Sequence, residues 1–83
     1  MQEAEADYRR AIKSNHRHAA ALNNLGNILR EEWNLDEAAD CYRRALDVRP
    51  DFAEASNNLG NIFADQRRYA DAIACYRRAL EIQ

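Results

Sequence analysis

Glycine and proline are nearly missing from this chain, at two and one in 83 residues. So small a supply of turn residues excludes a loop-rich fold. Charge of one sign is also scarce. Twelve Lys and Arg stand against fourteen Asp and Glu, a net of −2, which offers no general attraction to nucleic acid or to an anionic membrane. No apolar run approaches a membrane span or a signal-peptide core, so neither membrane insertion nor an address is expected from this segment. No nucleophile–base pair, glycine-rich phosphate loop or carboxylate dyad is visible, and the acids fall on helical faces that solvent would cover. We therefore expect no catalytic site, no enzyme activity and no cofactor.

The two cysteines, Cys41 and Cys75, are 34 residues apart. Their spacing comes from repetition and not from a CxxC-type metal motif. They read as packing residues, and free thiols suit a reducing, intracellular and cytoplasmic setting. His16 and His18 form an H-x-H with no third ligand nearby, so no metal site is expected.

What the chain does have is a beat. Tyr8-Arg9-Arg10-Ala11 returns as Tyr42-Arg43-Arg44-Ala45 and again as Tyr76-Arg77-Arg78-Ala79, each 34 residues on. Asn23-Asn24-Leu25-Gly26-Asn27-Ile28 recurs letter for letter at 57–62. A fixed period of this length marks a repeat array. The hydrophobic content of 47% coexists with a mean hydropathy of −0.76 because so much of it is alanine, which favours helix and close helix approach while burying little area.

Apolar residues at i, i+3, i+4 and i+7 predict helices over about 2–14, 19–32, 36–48, 53–66 and 70–82. Asn34 and Asp36 offer N-cap chemistry for the third. Pro50 stops that helix, and Asp51 with Glu54 has capping-box spacing for the fourth. The small residues suggest the pairing. Gly26 is expected against Ala38 and Ala45, and Gly60 against Ala72 and Ala79, with Tyr42 and Tyr76 filling a wider gap toward the next repeat.

These residues resemble the tetratricopeptide repeat family, whose pattern runs W-x2-L-G-x2-Y, A-x3-F, P. Leu22-x2-Leu25-Gly26-x2-Leu29, Ala38-x3-Tyr42-x2-Ala45 and Pro50 follow it. So do Ser56-x2-Leu59-Gly60-x2-Phe63 and Ala72-x3-Tyr76-x2-Ala79. The resemblance implies an all-α helix-turn-helix solenoid of five helices and about two and a half repeats. These divide as a half repeat over 1–18, a full repeat over 19–52 and a repeat over 53–83 lacking its terminal proline and capping helix. Trp33 and Arg67 stand where the family commonly has glycine at the turn inside each pair. The asparagine-rich helix looks most like the long superhelical arrays of O-GlcNAc transferase and of transmembrane tetratricopeptide proteins.

Such a stack presents the first helix of every pair to a concave groove. The residues expected there are Asn23, Asn24, Asn27, Arg30 and Glu31, with Glu54, Asn57, Asn58, Asn61 and Asp65 one repeat on. Six asparagines inside helices lower helix stability by roughly 0.5 kcal/mol each. A carboxamide both donates and accepts, and the resemblance implies a row of them holding the backbone of an extended peptide. It equally implies that Asn24, Asn27, Asn58 and Asn61 bridge neighbouring repeats. Chaperone-binding members instead grip a C-terminal carboxylate with lysines and an arginine around two asparagines. Asn27 and Asn58 match that clamp, but Asn23 stands where a lysine belongs, the only lysine is Lys13, and Glu31, Glu54 and Asp65 would repel a carboxylate. The Arg pairs at 9–10, 43–44 and 77–78 read as a solvated face helped by Glu5 to Arg9 and Asp40 to Arg44. Trp33 either covers the end of its helix pair or anchors a partner.

The function expected is a non-catalytic protein–protein interaction module binding an extended peptide. The alternatives are a structural or self-assembling unit, whether fragment or engineered, and the substrate-recruiting array of a larger glycosyltransferase. With no polar capping helix at its ends, the segment is also expected to form a homo-oligomer. Its first helix would pack on the terminal face of another copy, around Tyr76, Ala79 and Leu80, or exchange with it.

Overall fold

A computed structural model describes residues 2–14 and 18–82. The described residues form helices and turns only: α1 (Gln2–Ser14), α2 (Ala19–Glu31), α3 (Leu35–Val48), α4 (Ala53–Asp65) and α5 (Tyr69–Ile82). The molecule is an all-α helical solenoid. α2 packs chiefly on α3 and α4 on α5. α3 then meets α4, α1 lies on α2, and α2 touches α4 lightly. This alternation puts α2 and α4 in one layer and α1, α3 and α5 in the other. The smallest Cα extent, 15 Å, fits two helix layers, since packed axes lie about 8–10 Å apart and the two Cα radii together add about 5 Å.

The core follows the apolar stripes. Leu22, Leu25 and Leu29 of α2 meet Ala38, Tyr42 and Ala45 of α3, and Ala55, Leu59, Ile62 and Phe63 of α4 continue the same cluster. Gly26 adds a contact to the expected pairing. A Cβ built there would lie 2.6 Å from Cε1 of Tyr42, so the tyrosine ring rests on the glycine as well as joining the cluster shared with α4. Gly60 repeats the arrangement with Tyr76, at 2.8 Å. Alanines keep the two helices close enough for an aromatic ring to reach a bare backbone.

The turns inside the pairs depart from expectation less than their residues do. Trp33 and Arg67 take φ of 63° and 62°, the left-handed conformation that glycine adopts without strain. Trp33 N donates to Arg30 O (2.9 Å) and Asn34 N to Leu29 O (2.8 Å). Arg67 N to Ala64 O and Arg68 N to Phe63 O complete the same paired closure at the second turn. Both are Schellman motifs that use up orphan carbonyls of the helix end.

Capping differs from the sequence expectation. α4 begins after Phe52 with no side-chain cap, so Asp51 stands one residue too early, and the Arg49 guanidinium sits 4.5 Å over the Phe52 ring. Asn34 precedes α3 but caps no backbone amide; its Nδ2 donates instead to Glu37 Oε1 at 3.3 Å. The effective cap lies on α2, where His18 Nδ1 accepts from Ala21 N at 3.2 Å. That contact gives His18 a structural role. His16 lies outside the described residues, and no group of three metal-ligating side chains occurs among those described.

Candidate functional site

The period that generates the fold also sets the cross-repeat register. Asn23 and Asn58 are 35 residues apart and hydrogen bonded, Asn58 Nδ2 donating to Asn23 Oδ1 at 3.1 Å. Arg30 and Asp65, also 35 apart, form an ion pair at 2.9 Å. Position i on α2 thus faces its repeat equivalent plus one on α4. The asparagines and the ion pair share that seam.

Asn23, expected to line the groove, is only 2% exposed, because α4 covers its side of α2. Its carboxamide belongs to the joint between repeats. Asn57, its equivalent on α4, is exposed. Asn58 is half-buried and its Nδ2 also reaches Asn27 Oδ1 at 3.2 Å, so it bridges the two helices. Asn24, Asn27 and Asn61 are half-buried, and Glu31 and Glu54 are exposed.

Two tyrosines fix two of these amides. The Tyr42 hydroxyl donates to Asn27 Oδ1 and the Tyr76 hydroxyl to Asn61 Oδ1, each at 2.6 Å. Asn27 Oδ1 therefore accepts two hydrogen bonds, which fill its two lone pairs, fix the carboxamide and leave Nδ2, among the described residues, as its free donor group. Burial pushes the Tyr42 phenol up to about 12, against a smaller opposing pull from Arg30. At neutral pH it is a committed donor. The sequence signal for these pairs was available: asparagine precedes tyrosine by 15 residues in both repeats.

Two surface depressions gather some of these residues. One, of about 430 Å³, is lined by Asn27, Arg30, Glu31 and Trp33. Trp33 is 69% exposed, so it does not cover the end of its helix pair. The other is lined by Ala53, Glu54, Asn57, Tyr76, Ala79 and Leu80 and lies on the surface of α4 and α5. The first gathers three predicted groove residues, the second gathers two, and Asn23 and Asn58 line neither. On the opposite layer, Asp40 pairs with Arg43 (3.6 Å) and not Arg44, while Glu5 meets Arg9 at 4.0 Å as expected. Burial raises the Cys41 and Cys75 thiols, which keeps them protonated at neutral pH and fits packing roles.

A tetratricopeptide repeat family model matches residues 2–40 and again 33–83. Among solved structures, a crystal structure of MamA superposes with a TM-score of 0.93 at 26% identity, over 98% of this chain and 47% of that one. A second crystal structure of MamA gives 0.90 at 26% identity, over 98% and 44%. YrrB, described as a tetratricopeptide repeat protein with an unusual peptide-binding site, gives 0.87 at 27% identity, over 90% and 39%. The chain thus spans less than half the length of these structural relatives. No curated protein matches it. No helix among the described residues is long and apolar enough to cross a membrane.

Proposed function

The chain belongs to the tetratricopeptide repeat family, and on that premise we propose that it is a non-catalytic module whose α2/α4 face binds an extended peptide. The fold is one of protein–protein interaction modules. The likeness to YrrB, which has a peptide-binding site, supports the finer reading.

The observation that carries it is the locked amide of Asn27. Tyr42 and Asn58 occupy its oxygen, so Nδ2 is held as a donor beside the depression that Asn27 helps to line. A donor that is already oriented loses little freedom when it meets a peptide carbonyl. Asn24 and Asn57 extend the row of amides, and Asn61 offers the same tyrosine-fixed arrangement one repeat on. Asn23 and Asn58 act beneath this surface as the joint that keeps α2 and α4 in register.

The test is Asn27→Asp. This change keeps both accepted hydrogen bonds and removes the donor. Binding of a short, blocked, uncharged peptide, followed by calorimetry, is expected to weaken about five- to tenfold, the equivalent of one hydrogen bond. Helix content should stay as in the wild type. Equal binding by the variant, or no binding by the wild type, overturns the reading.

A further inference from the structure

Trp33 is an unusual residue for its place. It is 69% exposed, and it occupies a left-handed position that an L side chain enters only at a conformational penalty. Its turn is closed by two backbone hydrogen bonds, so the indole is carried on a fixed mount. It forms one wall of the depression shared with Asn27, Arg30 and Glu31.

The charges in that depression are not equivalent. Arg30 Nε is 2.9 Å from Asp65 Oδ2, so its charge is already answered from α4. Glu31 takes part in no ion pair among the described residues. It also sits at the C-terminal end of α2, where the helix carbonyls make the local potential negative and a carboxylate weakens the helix. The depression therefore offers an aromatic face, one uncompensated carboxylate, and an amide donor fixed by Tyr42 and Asn58. Across the wider face, Arg30 is the only cation of the ten predicted residues, against Glu31, Glu54 and Asp65.

We propose that this depression is a subsite for a cationic side chain, the guanidinium of arginine or the ammonium of lysine, carried by the extended peptide. The cation stacks on the Trp33 indole and is paired by Glu31, while Asn27 Nδ2 holds a neighbouring carbonyl of the peptide. Tryptophan is the best of the aromatic residues for a cation, and the nearby carboxylate adds charge where the ring adds its quadrupole. The subsite rests on the peptide-binding reading given above and adds to it a preference for basic sequence.

Trp33 is the only tryptophan in the chain, so its emission reports on this subsite directly. Three blocked peptides are compared, identical except for one central residue: arginine, lysine, or citrulline, the uncharged counterpart of arginine. The arginine and lysine peptides are expected to shift the emission and to bind roughly fivefold more tightly than the citrulline peptide, with an advantage that shrinks as salt rises. Glu31→Gln, an exposed change, should remove most of the arginine peptide's advantage, leaving the share that Trp33 supplies, and leave the citrulline peptide unaffected. Equal affinity for arginine and citrulline peptides, or an arginine preference undiminished by Glu31→Gln, overturns the subsite and leaves the peptide groove standing. Failure of all three peptides to bind overturns both.

Discussion

Tyr42 has no exposure to water, and its hydroxyl has one partner, Asn27 Oδ1 at 2.6 Å. Burial holds the phenol near 12, whereas a tyrosine in the unfolded chain titrates at about 10. The neutral form is therefore favoured by folding. Its contribution is fully present below about pH 10 and is lost as pH rises through the window between 10 and 12, by roughly 2–3 kcal/mol in all. The raised thiols of buried Cys41 and half-buried Cys75 act in the same direction at alkaline pH, so the comparison must isolate the phenol. Urea midpoints measured at pH 8 and pH 11 should fall more steeply for wild type than for Tyr42→Phe. Equal slopes would show that Tyr42 does not drive the alkaline loss. The same residue shows what helical spacing leaves out. Asn23, Asn24 and Asn27 share one broad face by sequence, yet α4 covers Asn23 and Tyr42 orients Asn27. Spacing along one helix fixes an angle about its axis. It does not say which flank the neighbouring helix will cover.

The helices themselves are legible in the sequence because each kind is written more than once, the asparagine-rich one twice and the Tyr-Arg-Arg-Ala one three times. The apolar stripe of α2 is that of α4, and Pro50 and the short polar turns leave few other boundaries. Caps are less legible, since a shift of one residue removes them: α4 starts after Phe52, and Asp51 is left outside the reach a capping box needs. The turns inside the pairs invert that lesson. Their left-handed residue was expected as glycine, and the backbone keeps the same φ with Trp33 and Arg67 in its place. The closing hydrogen bonds and the packed helices on either side over-determine the turn, and the strain is absorbed there. Arg67 is exposed and lines neither depression, so its strain serves no visible contact. Arg67→Gly should relieve about 1 kcal/mol of left-handed strain, reduced in part by the extra entropy of an unfolded glycine. Thermal unfolding should then move up by several degrees, given about 4–8 °C per kcal/mol for a domain of this size. An unchanged or lower midpoint would mean that the turn holds no such strain.

At the scale of the whole molecule, α5 exposes what α3 covers. Tyr69, Ile73 and Leu80 are 60%, 54% and 71% exposed, and together with half-buried Tyr76 they follow i, i+4, i+7 and i+11 spacing along one face. One repeat earlier the same positions are Leu35, Ala39, Tyr42 and Leu46, each buried or half-buried beside α4. An apolar stripe of this kind gains from being covered, at about 25 cal/mol per Å². The first helix is less available for this than its sequence suggested. α1 lies on α2 of its own chain, and Arg9 ties it to Glu37 of α3 at 2.9 Å. We therefore expect self-association to use the α4/α5 end, each copy covering the stripe of the other. Sedimentation at high micromolar concentration should show reversible association. Ile73→Lys with Leu80→Lys should return the chain to a monomer, because both side chains project into solvent and their replacement leaves the core intact. A wild-type chain that remains monomeric at that concentration, or a double variant that associates as well as wild type, would place self-association elsewhere or remove it.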